Sequence, residues 1–187
     1  MQITEDQLKI IMIGITDERV KRYISYLNAA MAEFQINTAE RIAAFLAQIS
    51  HESGCLKWME EIASGKDYEG RKDLGNIHPG DGVKFKGRGP IQLTGRSNYE
   101  KAGKALNLDL INNPDTADDP DVGFRTAGWF WTEKKLNQYS DRPSKLSFQR
   151  QTKLINGGFN GWDSRWNYYK RACKVLNVRL PDADLKG

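Results

Sequence analysis

Glu52 stands in AQISHESG, residues 47–54, and is the first residue of the chain whose setting suggests chemistry. Steps of three and four residues share a helix face, so Phe45, Ile49 and Glu52 point the same way and the carboxyl lies on the apolar side. It also falls in the last helical turn, at the negative end of the macrodipole. Both conditions disfavour the charged form, which predicts an acid that holds its proton near neutrality, as a general acid must. The same pattern also fits an exposed Glu at a frayed helix end.

Glycoside hydrolysis needs a second carboxylate in a different environment. Glu60, Glu61, Asp67, Glu69 and Asp73 follow at once, and each reads equally well as a solvated loop charge. Glu61 lies nine residues beyond Glu52. On one continuous helix a separation of nine residues turns about 900° and leaves the two acids on opposite faces. The chain must therefore bend between them, and Gly54 is the residue placed to allow it.

A third group of candidates lies in KFKGRGPIQLTGRSNYEKAG, residues 84–103. Gly82 to Gly87, running into it, match the glycine spacing of a phosphate loop, but Arg88 and Gly89 stand where Lys and Ser/Thr are needed, and no apolar strand precedes them. Lys84, Lys86, Arg88 and Arg96 are too few, and too poor in aromatic neighbours, for a nucleic-acid surface. Gln92, Thr94 and Asn98 are neutral donors and acceptors of the kind that bind hydroxyl and acetamido groups. In an extended segment Gln92 and Thr94 share one face while Ile91 and Leu93 face a core. Thr94 on such a wall could hold the water that an inverting glycosidase activates. Asn156, in INGGFNGW, adds a polar group on what reads as a glycine turn, where a plain turn residue is an equal reading.

Helices have to position these groups. Thr4 to Gln7 is a capping-box pattern opening a short helix that Gly14 ends. Thr16 to about Phe34 carries one apolar stripe, Val20, Tyr23, Ile24, Leu27, Ala30 and Met31. A third helix starts at Asn37, with Glu40 at the capping-box position, and reaches Ser53. Further helices are expected near 98–106, 118–135, 147–155 and 164–176, with NGGFNGW breaking the chain at 156–162. Glycine, proline and charge dominate 65–97, which predicts a long functional loop or a small irregular β segment. The expected fold is mainly α, with residues 1–187 as one domain.

The totals narrow the class. Hydrophobic residues make up 39% and charged residues 28%, a globular balance. The net charge of +4 suits an anionic partner without choosing one. Cys55 and Cys173 have no neighbour at metal-ligand spacing, so neither a metal nor another cofactor is expected. No segment is long enough for stable membrane insertion, and the polar start MQITEDQ lacks the apolar run of a secretory signal, so synthesis in the cytoplasm is expected.

AFLAQISHESG at 44–54, YEGRKDLGN at 68–76 with FKGRGPIQLTGRSNY at 85–99, and INGG at 155–158 together resemble the family 19 glycoside hydrolases. That family groups chitinases with the chitinase-like endolysins of bacteriophages. The resemblance implies a two-lobed, lysozyme-like, chitinase-like fold and inverting hydrolysis of a β-1,4-linked N-acetyl sugar polymer. It puts Glu52 on the general acid, directly after His51, Glu61 on the base, and Thr94 on the residue that holds the water. His51, Gln92, Asn98 and Asn156 fall at substrate-binding positions, and Arg165 matches a cleft arginine. Cys55, where the family often has a second glycine or a threonine, departs from the pattern. Glu60 and Glu69 remain alternatives for the base. The short chain favours a phage-type endolysin over a secreted plant chitinase. On that reading the protein is a monomer that waits in the host cytoplasm for a membrane lesion and then cuts the glycan strands of peptidoglycan, binding no nucleic acid. A chitinase acting on chitin oligomers and a non-catalytic wall-binding module are the alternatives.

Overall fold

The computed structural model describes residues 1–180, and the final stretch of the expected single domain, 181–187, lies outside the described residues. The longer helices are α1 (Glu5–Ile11), α2 (Asp17–Glu33), α3 (Ala39–Glu52), α5 (Arg96–Leu106), α6 (Pro120–Glu133), α8 (Lys145–Asn156) and α9 (Trp162–Val175). Two four-residue helices, α4 (Asp81–Lys84) and α7 (Asn137–Ser140), and three 3₁₀ turns complete the order.

The helix starts follow from local chemistry. The Thr4 hydroxyl accepts from the Gln7 amide while the Gln7 side chain accepts from the Thr4 amide, so the predicted capping box forms at α1. Thr16 caps α2. The third helix is capped by Thr38, which accepts from Arg41 N, and not by an Asn37–Glu40 box as the sequence suggested. Two residues there can cap, and the hydroxyl one place nearer the helix takes the job.

α3 is the axis of the molecule. Every residue from Ile42 to Ser50 is buried, so the helix is enclosed on all sides, and its main partner is α9. Around it lies the larger apolar core, with Phe45 edge-on to Trp131 at 5.2 Å and Phe148 stacked on Tyr169 at 4.1 Å. A smaller core gathers Phe85, Leu93, Tyr99, Ala102, Leu106, Leu110, Ala117 and Trp129. α6 belongs to both, giving Phe124, Ala127 and Trp131 to the first and Trp129 to the second. These two cores are the two lobes that the resemblance implied.

The segment 65–97 is built as expected of an irregular one. It holds two of the 3₁₀ turns and α4, and isolated antiparallel bridges join its Arg88 to Leu93 and to Glu60 just before the segment. Charges and polar groups do much of the fixing here. Glu69 accepts from the amides of Gly80 and Gly82 at 2.7 and 2.8 Å, and buried Asp81 holds Arg96 through both carboxylate oxygens at 2.7 and 2.8 Å.

Candidate active site

The chain does bend after Glu52. Gly54, Cys55 and Leu56 all have positive φ, at 56°, 57° and 61°, a run that reverses direction immediately after α3. Glu52 is left at the helix end with its side chain 19% exposed. Its setting differs from the apolar wall that the helix face predicted. Arg165, on α9 and fully buried, places Nη2 2.5 Å from Glu52 Oε1. The other guanidinium nitrogens donate to Gln48 Oε1 at 2.7 Å and Asn160 O at 3.0 Å, and Gln48 donates in turn to Thr152 at 2.9 Å. The apolar stripe of α3 was legible, but a cation arriving from another helix was not. Arg165 itself is fully buried, so any part it plays in a cleft goes through Glu52. It lies behind Glu52 and fixes it.

His51 is half-buried beside this pair, with Nδ1 3.0 Å from Ser164 Oγ. Burial first, and then the charge of Arg165, push its pKa below the usual histidine value. Gly161 faces the imidazole so closely that any side chain there would collide with the ring, and its φ of +69° independently favours glycine.

Glu61 belongs to a second cluster. Its Oε1 accepts from Tyr68 OH at 2.8 Å and its Oε2 from Gly87 N at 3.0 Å. Tyr68 keeps its proton for that bond, because burial and then the Glu61 contact raise its pKa to about 12. The backbone pairs as well, Glu61 N donating to Gly87 O at 2.9 Å. Gly87 is the hub. A Cβ there would lie 2.8 Å from Gln92 Oε1, 3.1 Å from Glu61 Oε2 and 3.3 Å from Thr94 Oγ1, so three oxygens from separate side chains surround one point of bare backbone.

Gln92 and Thr94 share a face, with Ile91 and Leu93 buried behind them, as alternation predicted. The cause is different. Residues 88–93 form a tight turn closed by Arg88 N to Leu93 O at 3.1 Å and Leu93 N to Arg88 O at 2.8 Å, with Gln92 at φ +56°. Gln92 Nε2 donates to Gly89 O and to Trp58 O, which leaves Oε1 facing Gly87. The Thr94 hydroxyl donates to Gln92 O at 2.8 Å, so its oxygen is free to accept. Asn98 stands one step behind, donating to Thr94 O at 2.8 Å.

The rival acids have other partners. Glu60 pairs with Lys86 at 2.7 Å and lies 3.9 Å from Arg88, while Glu69 caps α4. Asn156 joins neither cluster. It is the exposed last residue of α8, with Gly157 beyond it in the left-handed conformation, so the helix runs one residue further than the glycine-rich stretch suggested. Tyr68, Gln48 and Ser164 were missed, since a residue that supports a site from a loop or another helix leaves no periodicity behind. Among the described residues no group of three or more His, Cys, Asp or Glu is placed to hold a metal ion.

Residues 22–148 match the family described as chitinase class I. The chain belongs to that family. Among curated proteins it is similar to an acidic 27 kDa endochitinase of Solanum lycopersicum, 38% identical over 171 residues, covering 76% of this chain and 66% of that protein. It is also similar to an endochitinase of Arabidopsis thaliana, 44% identical over 152 residues, covering 77% and 50%. The chain thus spans half to two thirds of the length of these relatives. Among solved structures, chitinase C from Streptomyces griseus superimposes with a TM-score of 0.77 at 26% identity, over 94% of this chain and 93% of that one. The mainly helical, chitinase-like fold is the one the resemblance implied.

Proposed function

We propose that the protein hydrolyses chitin-type β-1,4-linked N-acetylglucosamine polymers with inversion at the anomeric carbon. The observation that carries this reading is the meeting of Glu61, Thr94 and Gln92 around Gly87, in a chain of the chitinase class I family. Both Glu61 oxygens already accept a hydrogen bond from the protein, which suits a base that receives a proton better than a nucleophile that must turn towards a sugar. The Thr94 hydroxyl has spent its hydrogen on Gln92 O. A water between Glu61 and Thr94 would donate one hydrogen to each, directing a lone pair at the anomeric carbon. Glu52 supplies the proton to the departing oxygen. Arg165 holds its Oε1, which leaves Oε2 to carry and release that proton.

A second reading has the same site cut the glycan strands of peptidoglycan, as a phage-type endolysin would. One observation favours it. The stretch 142–162 contains no Asp or Glu but carries Arg142, Lys145, Arg150 and Lys153. Chitin is neutral, whereas peptidoglycan bears carboxylates.

Proton NMR of N-acetylglucosamine hexamer during cleavage tests the first reading. The α-anomer should form first from the β bond. Initial β-anomer would mean retention, and intact hexamer together with intact peptidoglycan would remove the hydrolase reading.

A further inference from the structure

The acid-free stretch 142–162 has a structural counterpart on the side of the molecule formed by α7 and α8. Two cavities of about 490 and 440 Å³ share Tyr139 and Arg150 as lining residues and so form one groove. It starts at Asp141 and Arg142 and ends at Lys153, Leu154 and Gly157. Asp141, its only acid, is already neutralised, because Arg41 from α3 binds both of its oxygens at 2.6 and 2.8 Å. Arg142, Arg150 and Lys153 have no hydrogen-bond or ion-pair partner among the described residues, so the groove presents three uncompensated positive charges.

The charge pattern does not favour the helix itself. α8 has no acid in its first turn, where the macrodipole favours one, and starts on Lys145 instead. Arg150 and Lys153, three apart on one face, repel each other. Leu146, Arg150, Lys153 and Leu154 fall on one outer stripe of the helix, and Leu146 and Leu154 are 57% and 40% exposed. Tyr139 and Leu154 line the groove beside Arg142, Arg150 and Lys153, and Leu146 continues the stripe outside it. At its far end Gly157 opens the loop whose Asn160 carbonyl holds Arg165 and whose Gly161 faces His51, so the groove leads towards the Glu52 cluster.

We propose that this groove binds the stem peptides of peptidoglycan, holding their carboxylates on Arg142, Arg150 and Lys153 and their alanine methyl groups against Leu154 and Tyr139, while the glycan strand occupies the Glu52–Glu61 site. The proposal rests on the second reading above, that the sugar site accepts peptidoglycan. A concave channel suits a chain better than a flat lipid surface, and a neutral chitin chain makes no use of three free cations.

The test compares the wild type with the triple variant Arg142→Gln, Arg150→Gln, Lys153→Gln. All three positions are exposed, so the fold should persist, as circular dichroism would show. Binding is measured by co-sedimentation with intact sacculi, with sacculi stripped of stem peptides by an amidase, and with phosphatidylglycerol vesicles. Turnover is measured on the neutral hexamer. The variant should bind intact sacculi about tenfold more weakly, three exposed ion pairs being lost. Stripping should weaken wild-type binding to a similar degree, and hexamer turnover should stay within about twofold of wild type. Equal binding of wild type and variant to intact sacculi would overturn the proposal. So would wild-type binding that survives stripping, or that is as tight to vesicles as to sacculi. Failure of the hydrolase reading shows separately, as a wild type that binds sacculi yet cleaves neither polymer.

Discussion

Glu52 and Glu61 are held by opposite means. Glu52 ends a helix enclosed by the main core, and its partner Arg165 is itself fully buried on another helix. Glu61 sits in a segment with almost no regular structure, held by a tyrosine hydroxyl, a glycine amide and a pair of backbone bridges. The first arrangement is rigid because the packing around it is. The second is rigid only as long as each polar contact is made. In the roles proposed above, a proton donor that must reach a leaving oxygen benefits from a fixed axis, while a base and its water benefit from several small groups that converge on one point.

Removing each acid's chemistry without its shape tests that contrast most sharply. Glu52→Gln and Glu61→Gln should each lower hexamer turnover by about 10²–10⁴-fold, the range for general acid–base groups, with the circular dichroism spectrum unchanged. Glu60→Gln should stay within about threefold of wild type, because its carboxylate is already paired with Lys86. An inactive Glu60→Gln beside an active Glu61→Gln would move the base by one residue.

Next in size is the support of Glu52. Arg165→Leu keeps bulk but strips donors from Glu52, Gln48 and Asn160 at once. Breaking a buried pair by removing one partner costs about 3–5 kcal/mol, which chemical denaturation would read directly. A loss under 1 kcal/mol would mean that the buried network does not fix the acid.

Thr94→Val is a smaller change in the second region. It keeps the shape and deletes the acceptor proposed for the water. Turnover should fall about tenfold to a hundredfold with KM little altered, and Thr94→Ser should restore it. A raised KM at unchanged kcat would instead make Thr94 a sugar contact.

The same contrast shows what was legible in the sequence. Periodicity located α1, α2, α3, α6, α8 and α9 to within a few residues, because each helix buries a stripe that must repeat. It placed Ile91 and Leu93 inside and Gln92 and Thr94 together, although through a turn and not a strand. It failed where a partner comes from afar. Nothing near Glu52 announces Arg165, and nothing near Glu61 announces Gly87 as the meeting point of three side chains. The acid-free run of α8 drew no reading from the sequence, because only the folded groove shows that Asp141 is spent on Arg41.

The smallest effect concerns Asp118, which ties the second region to the smaller core. Arg88, 4% exposed, donates to Asp118 Oδ2 at 3.0 Å, to Asp115 at 2.5 Å and to Tyr99 OH at 3.1 Å, while forming the bridges to Glu60 and Leu93. Asp118 Oδ1 is buried with no partner. Burial raises this carboxyl to about 6, against the pull of Arg88 and with help from Glu60. A folded pKa above the unfolded value of 3.8 means that the native state binds the proton more tightly. The group therefore favours folding below about pH 4, and that advantage is lost as pH rises towards 6 and stays absent above it. Asp118→Asn removes the titration. Denaturant titrations at pH 4, 5, 6 and 7 should show the variant gaining on the wild type by about 1 kcal/mol across this range, the side chain being 30% exposed and partly screened. A difference that does not change with pH would show that Asp118 is charged throughout, its free oxygen satisfied by water, and that the polar region is no more strained than the helical one.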